Sequence, residues 1–297
     1  MAYIGIIDYK AGNSPSVLNA LQRLNIEARL LAAPENAGGS AGIILPGVGS
    51  ARATMDSLRE SGWIDFLNDS VLKKGLPFLG ICVGLQILFE HSEEGDTLCL
   101  GWLKGQVKRF DSAKVRVPHI GWNLVRFADN AVHSPQCTVH SPQLKDNAQC
   151  TMHNAQLEDS AQCTAHSPQL KDKDDNFQLS TFNFQLLTGL PAESYFYFVN
   201  SYYAVPKDKS IILSMTEYTA ETSTAVSFLA GQLSFDGQSV TGNLKEKCPK
   251  DYGGEFCSAV AYKNIIATQF HLEKSGEAGL EMLKNFAANA LKKYKTV

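Results

Sequence analysis

The sequence predicts an α/β fold: a mixed, mostly parallel sheet flanked by helices, with two insertions on its surface. Two observations point there. Early in the chain, short apolar runs alternate with segments whose apolar residues recur at helical spacing. The resulting order, strand–helix–strand–strand–helix–strand, calls for a sheet covered on both faces. Beyond about residue 100, the stretches 101–127, 195–217 and 255–270 are strand-rich.

The elements follow in order. Tyr3–Asp8 is a strand-like run. Asn13-Ser14-Pro15 supplies a helix cap with proline near the first helical position. Val17, Leu18, Leu21 and Leu24 then give residues 14–25 an amphipathic helix. Ala28–Leu31 and Gly42–Leu45 are short apolar strands. Gly62–Lys73 is helical, with Trp63, Phe66, Leu67 and Leu72 as its buried stripe and Gly75 as its stop. Leu76–Leu79 is a strand that runs into a helical apolar pattern starting at Val83. Ser275–Lys293 closes the chain as a helix.

Two stretches stand outside this plan. From Gln136 the chain repeats every 13 residues: QCTVHSPQLKDNA, QCTMHNAQLEDSA, QCTAHSPQLKDKD. That period matches neither a heptad nor common solenoid units, and the segment is too polar to build a core of its own. Thr219–Tyr252 is rich in Ser, Thr, Gly and Lys. The chain therefore reads as a single domain over residues 1–297, with insertions at about 130–186 and about 219–253.

Composition narrows the class. The chain has 297 residues, 44% of them hydrophobic, and a net charge of −3. That balance offers no electrostatic footprint for nucleic acid. No apolar run nears the roughly 18 residues that span a bilayer, so no membrane association is expected. MAYIGIIDYK lacks the charged start of a signal peptide, and seven cysteines, an odd number, favour a reducing cytoplasm.

The chemistry concentrates at Gly80-Ile81-Cys82-Val83-Gly84, where a strand becomes a helix. A sharp turn of that kind strains a residue bearing Cβ and requires small neighbours. Cys82 at the apex is expected to project, exposed, above the carboxyl edge of the sheet, where α/β ligands bind. The helix N-terminus behind it stabilises a thiolate and a nearby oxyanion. A buried structural cysteine is the alternative. A nucleophilic cysteine needs a base and an orienter. His133, His140, His153 and His166 lie in or beside the repeats, and His91 lies in a polar loop. His119 in RVPHIGWN is a possible base. His271 follows a strand-like run, shares the edge expected for Cys82, and has Glu273 two residues on to orient it. A capping role for this His-x-Glu is the alternative. Leu45-Pro46-Gly47-Val48-Gly49 follows a strand and, taken alone, reads as a glycine turn into a helix. Together with the cysteine turn and His271 it lets backbone amides approach a ligand, as a second oxyanion donor.

Taken together, GICVGLQ, LPGVGS and TQFHLEKSGEAGL resemble the class I glutamine amidotransferases, whose fold is flavodoxin-like. Asp8-Tyr9 with Gly12-Asn13, PHIGWN and YFVNSYYA make the chain similar, within them, to the glutaminase subunits that serve imidazole glycerol phosphate synthesis. The resemblance covers residues 1–128, 187–218 and 254–293. It implies that Cys82 attacks the carboxamide of glutamine to form a glutamyl thioester, with His271 as acid and base and Glu273 orienting it. Amides around Gly47, Val48, Gly49 and Val83 would form the oxyanion hole. Gln86 and Glu94 would lie near bound glutamine, and the backbone of Ser201 and Tyr202 would line its pocket. Ammonia would pass to a cyclase subunit with a (β/α)₈-barrel fold, in a heterodimer docked through Asn13, Trp122, Asn123 and Lys274. No metal or organic cofactor is implied. The subunit would idle until its partner binds ligand, with at most one loop amide of Pro46–Gly49 aimed at the site.

Three departures accompany the resemblance. Leu272 stands where the family usually has proline between the histidine and the glutamate. Asn200 replaces a histidine common among relatives, and the insertions are extra. Competing readings are a glutaminase serving another synthase, a cysteine hydrolase of another family, and a metal-binding or partner-recruiting module. The last would use the Cys-x-x-His pairs Cys137/His140, Cys150/His153 and Cys163/His166.

Overall fold

Five parallel strands form the centre of the sheet, with every residue of four of them buried. The computed structural model describes residues 2–9, 13–128, 185–222 and 254–296. Chain order runs β1 (Tyr3–Ile7), α1 (Ser14–Arg23), β2 (Ala28–Leu31), β3 (Ser40–Gly47), α2 (Ala51–Glu60), α3 (Trp63–Leu67), β4 (Phe78–Cys82) and α4 (Val83–Gln86). Then come β5 (His91–Ser92), β6 (Thr97–Leu98), β7 (Gly105–Arg109), β8 (His119–Phe127), β9 (Glu193–Asn200), β10 (Tyr202–Pro206), β11 (Ile212–Glu217), β12 (Glu255–Tyr262), β13 (Ile265–Thr268) and α5 (Gly276–Tyr294).

The central order is β2-β1-β3-β4-β13, parallel throughout. This is the flavodoxin-like arrangement, in which strand ends open a crevice where the order reverses. β12 joins antiparallel to β13 and also pairs with β10 and β11. The sheet therefore divides into two arms, β10–β7–β5–β6 and β11–β8–β9. These arms are the strand-rich stretches expected from the sequence. Helices α1 and α5 pack on β1 and β3 and on each other. Fully buried Ile4, Ile6 and Ile7 of β1 and Met282, Leu283 and Phe286 of α5 belong to the core. Each such side chain contributes about 1.5–3 kcal/mol of burial.

Several boundaries differ from expectation. α2 has no counterpart among the expected elements because its buried stripe, Ala51, Thr54, Met55 and Leu58, is built half from small or polar residues. The helix expected over 62–73 is α3 followed by a wider π-helical turn, Asn68–Lys73. Val71, four residues beyond Leu67, takes the buried place, and Leu72 is exposed. After Cys82 the helical pattern lasts four residues; Ile87, Leu88 and Phe89 are buried in the turns that follow.

The two expected insertions lie outside the described residues, apart from their rims. Phe127 N–H donates to Ala192 O at 2.9 Å and Tyr218 N–H to Gly254 O at 2.7 Å. Each insertion therefore leaves and re-enters the core at hydrogen-bonded neighbours, where added loop length carries only a small entropic cost. The first ends earlier than residue 186: Leu186 and Leu187 are buried, and Asn285 of α5 donates to Leu186 O and Thr188 O.

Candidate active site

The carboxyl ends of β1, β3, β4 and β13 share one edge, and most of the candidate residues collect along it. Cys82 ends β4 with φ 56° and ψ −105°, a left-handed backbone that strains any residue bearing Cβ. Its glycine neighbours are needed for close approach. A Cβ on Gly80 would lie 2.5 Å from the Gly84 carbonyl oxygen, and one on Gly84 would lie 2.2 Å from that of Leu45. Strand β4, helix α4 and strand β3 thus meet at backbone contact around the cysteine. The expectation of an exposed apex is corrected, since Cys82 is only 4% exposed. β9 crosses above it, with the thiol donating to Val199 O at 3.8 Å, and Gln269 Nε2 donates to its sulfur at 3.4 Å.

His271 lies three residues past β13, held by its own N–H to Tyr197 O at 2.9 Å and by Ser275 Oγ donating to its carbonyl at 2.5 Å. Its Nδ1 pairs with Glu273 Oε1 at 2.8 Å, and the two side chains are 2% and 1% exposed. Burial alone pulls the imidazole down. The charge and hydrogen bonding of Cys82, with those of Glu273, outweigh burial and push it up to about 10. Burial likewise opposes the Glu273 carboxylate, yet the hydrogen bond and charge of His271, joined by Asn13, hold it below its ordinary value. His271 is thus coupled to Cys82 on one side and to Glu273 on the other. Burial pushes the thiols of the other two described cysteines up, Cys257 to about 12 and Cys99 to about 11.

The glycine loop begins beside the cysteine, because Gly47 of β3 pairs in register with Cys82. A Cβ on Gly47 would lie 2.6 Å from Val83 Cβ, so loop and α4 touch. Val48 is 36% exposed and Gly49 has φ +101°. The loop runs into α2, whose start is fixed by Ser50 Oγ accepting from Ala53 N–H and by Glu94 Oε2 accepting from Ala51 N–H at 2.7 Å. Glu94 thus anchors the far end of the loop.

Gln86, 3% exposed, donates to Tyr202 O at 3.0 Å and to Gln269 Oε1 at 3.1 Å. Asn200 Nδ2 also donates to Tyr202 O, and Ser201 O accepts from Phe110 N–H, both at 3.0 Å. A continuous run of contacts links Cys82, Gln269, Gln86 and the Tyr202 carbonyl. Gln269 was not singled out by the sequence; the only available signal was a polar side chain at the end of an otherwise apolar strand. His119, the other possible base, is a core residue stacked on Phe198 and Tyr218, and burial pushes its imidazole down to about 3.

The four expected docking residues do not share a face. Across the antiparallel β8–β9 pair, Ile120 pairs with Val199, Trp122 with Tyr197 and Leu124 with Tyr195. Ile120, Tyr195 and Val199 of this apolar ladder are exposed, and Lys274 Nζ stands 6.0 Å from the Tyr197 ring centre. Asn123 points the opposite way, is 7% exposed and donates to Glu217 O, because neighbouring strand residues face opposite sides. Asn13 reaches inward instead, with Nδ2 donating to Glu273 Oε1 at 2.9 Å.

Among the described residues no cluster of His, Cys, Asp and Glu could hold a metal ion. The Cys-x-x-His pairs lie outside the described residues. No described helix is long and apolar enough to cross a membrane.

Comparisons with known proteins bear on the family and the fold. The family model "Glutamine amidotransferase class-I" matches residues 5–228. The imidazole glycerol phosphate synthase subunit HisH of Dehalococcoides mccartyi (strain ATCC BAA-2266 / KCTC 15142 / 195) is 32% identical over 289 residues, 97% of this chain and 98% of that protein. The subunit of the same name from Nitratidesulfovibrio vulgaris (Hildenborough) is 31% identical over 95% of this chain and 94% of its own length. That of Leptospira interrogans is 30% identical, over 96% and 99%. Among solved structures, a glutamine amidotransferase superposes with TM-score 0.55 at 15% identity, covering 97% of this chain and 99% of its own. PurLQS from Thermotoga maritima does so with TM-score 0.50 at 12% identity, over 96% and 97%. At those identities the structural likeness speaks to the fold alone.

Proposed function

The chain belongs to the class-I glutamine amidotransferase family, and from that premise we propose that it hydrolyses glutamine at Cys82 and hands the ammonia to a cyclase partner making imidazole glycerol phosphate. The observation that carries this reading is the strained cysteine at the strand end, electrostatically joined to a buried His271–Glu273 pair.

In this mechanism the Cys82 thiol passes its proton to His271, and the sulfur attacks the side-chain carboxamide carbon of glutamine. The electrons of the C=O bond move to oxygen, where amides of the Gly47–Gly49 loop and of Val83 stabilise the negative charge. Collapse of this intermediate breaks the C–N bond, and His271 gives its proton to the departing nitrogen. Ammonia and a glutamyl thioester result. His271 then takes a proton from water, which attacks the thioester and returns glutamate and free thiol. Glu273 holds the imidazole in place and balances its positive charge. Gln86 and the Ser201–Tyr202 backbone hold the substrate, and Glu94 sets the loop.

The relatives are named as subunits of a synthase, which supports assembly with a second subunit. We place the partner on the exposed apolar ladder of β8 and β9, beside Lys274. The ladder leads to the Val199 carbonyl that touches Cys82, so ammonia would be released close to the docked face. The partner is read as a (β/α)₈-barrel cyclase in a cytoplasmic heterodimer, and the two insertions as dispensable surface additions to a single domain.

The test is to mix the full chain with a cyclase subunit and measure glutamate release with and without the cyclase's own ligand. Turnover should rise on assembly and rise again with ligand. No glutamate release in any mixture, with the complex formed, would overturn the reading.

A further inference from the structure

Asn13 occupies the N-cap position of α1, yet its side chain makes no cap hydrogen bond there. It forgoes the helix stabilisation that position normally supplies. Instead its Oδ1 accepts from Ser16 Oγ at 2.7 Å, which fixes the orientation of the amide, and its Nδ2 donates to Glu273 Oε1 at 2.9 Å. Glu273 Oε1 therefore accepts two hydrogen bonds, from His271 and from Asn13. Among the described residues Oε2 is buried without a bond to another residue. A carboxylate held by one donor can still swing about that bond. A second donor, reaching the same oxygen from another element, restrains both the position and the plane of the carboxylate.

The backbone leaves this side chain more freedom than it could. Leu272, between His271 and Glu273, does not fix φ as a proline would. The short 3₁₀ turn Leu272–Lys274 then carries Glu273 without a ring constraint.

We propose that Asn13 is a positioning residue of the active site, holding the Glu273 carboxylate in the rotamer that orients His271. The inference rests on the reading of His271 and Glu273 as the catalytic pair. Asn13 acts through Glu273 and touches neither the sulfur nor Gln86, so its loss lowers turnover and leaves substrate binding alone.

The experiment compares wild type with Asn13→Ala and Asn13→Asp, each as full chain assembled with the cyclase. Expected is a fall in kcat for glutamine of about tenfold to a hundredfold, the weight of a charge-assisted hydrogen bond to a buried carboxylate. KM should stay within about twofold, as is usual for an interaction absent from ground-state binding, and ammonia-dependent synthesis should be unchanged. Asn13→Asp is the discriminating variant, because it keeps the shape and turns a donor into a second carboxylate facing Glu273. Its deficit relative to wild type should shrink as pH falls and the two carboxylates come to share a proton. The other titratable groups nearby are His271, in contact with Glu273, and Asp8, bonded to Ser14 at the start of α1.

A second readout needs no glutamine: the hydrogen-bonded Nδ1 proton of His271 should exchange faster with solvent in Asn13→Ala than in wild type. Full kcat in Asn13→Asp, or a loss cured by excess cyclase, would overturn the proposal, as would unchanged proton exchange. A wild-type complex that releases no glutamate would instead count against the glutaminase reading, and proton exchange would still decide the role of Asn13.

Discussion

Replacing Gly84 by alanine tests whether backbone contact at the cysteine turn is what makes the site. The added Cβ would lie 2.2 Å from the Leu45 carbonyl oxygen and 3.3 Å from its carbon. Neither is a flexible side-chain end, so β3 and α4 must separate by about 1 Å to restore ordinary contact. Overpacking on this scale costs about 1–3 kcal/mol, and each kcal/mol lowers the melting temperature by about 2–4 °C in a domain of this size. The functional loss should be larger. Leu45 leads directly into the Gly47–Gly49 loop, and α4 carries Val83 and Gln86, so the displacement falls between the oxyanion donors and the sulfur. A misplacement of about 1 Å costs about 10²-fold in rate. Glutamine hydrolysis by the complex should therefore fall about a hundredfold, with ammonia-dependent synthesis intact. Gly38→Ala is the control, since Gly38 has φ −58° and nothing within 4 Å of its Cβ position. If Gly84→Ala hydrolyses glutamine as fast as Gly38→Ala, close backbone approach is not what positions the cysteine.

Three further outcomes are expected. In Cys82→Ala, His271 loses the strongest influences that raise it, so its ring titration should fall from about 10, read by NMR. The sign follows from linkage. His271 in the wild type adds stability that is fully present below its ordinary value of 6.5 and lost as pH rises through about 10. The variant should lose that stability at lower pH, and an unmoved titration would contradict the coupling. Gly49→Ala places a Cβ on a residue with φ +101° and open space around it, so it biases loop conformation without a clash. It should flatten the response of glutamine turnover to cyclase ligand, whereas Gly47 is packed too tightly on Val83 for a clean substitution at that position. Replacing residues 131–185 by a short Gly/Ser linker, rejoined ahead of the buried Leu186, should preserve soluble expression and partner-dependent turnover. Insoluble protein would show the repeats to be needed.

The parallel core and the cysteine turn were legible because both are local: apolar runs, small residues around one cysteine, and a histidine two positions from a glutamate. Neighbours in space but not in sequence were not legible. Asn13 meets Glu273 across 260 positions and Gln269 meets Cys82 across 187, and no spacing in a single sequence carries either contact. Asn123 was legible after all. Along β8, His119, Gly121, Asn123, Val125 and Phe127 are buried in strict alternation, so it could not share a docking face with Trp122. Burial of Cys82 depends on β9, which returns from beyond the first insertion to cover the strand end. α2 hid its helical stripe in alanine and threonine.

The central claim is that glutamine is opened by the Cys82 sulfur within a unit formed with His271 and Glu273. The most direct measurement is to mix the cyclase-bound chain with glutamine, quench with acid during turnover, and map the peptides by mass spectrometry. A glutamyl adduct on the peptide carrying Cys82, absent when glutamine is omitted and absent in Cys82→Ala, is the predicted result. Glutamate release continuing in Cys82→Ala, or an adduct on Cys99 or Cys257 in its place, would contradict the account.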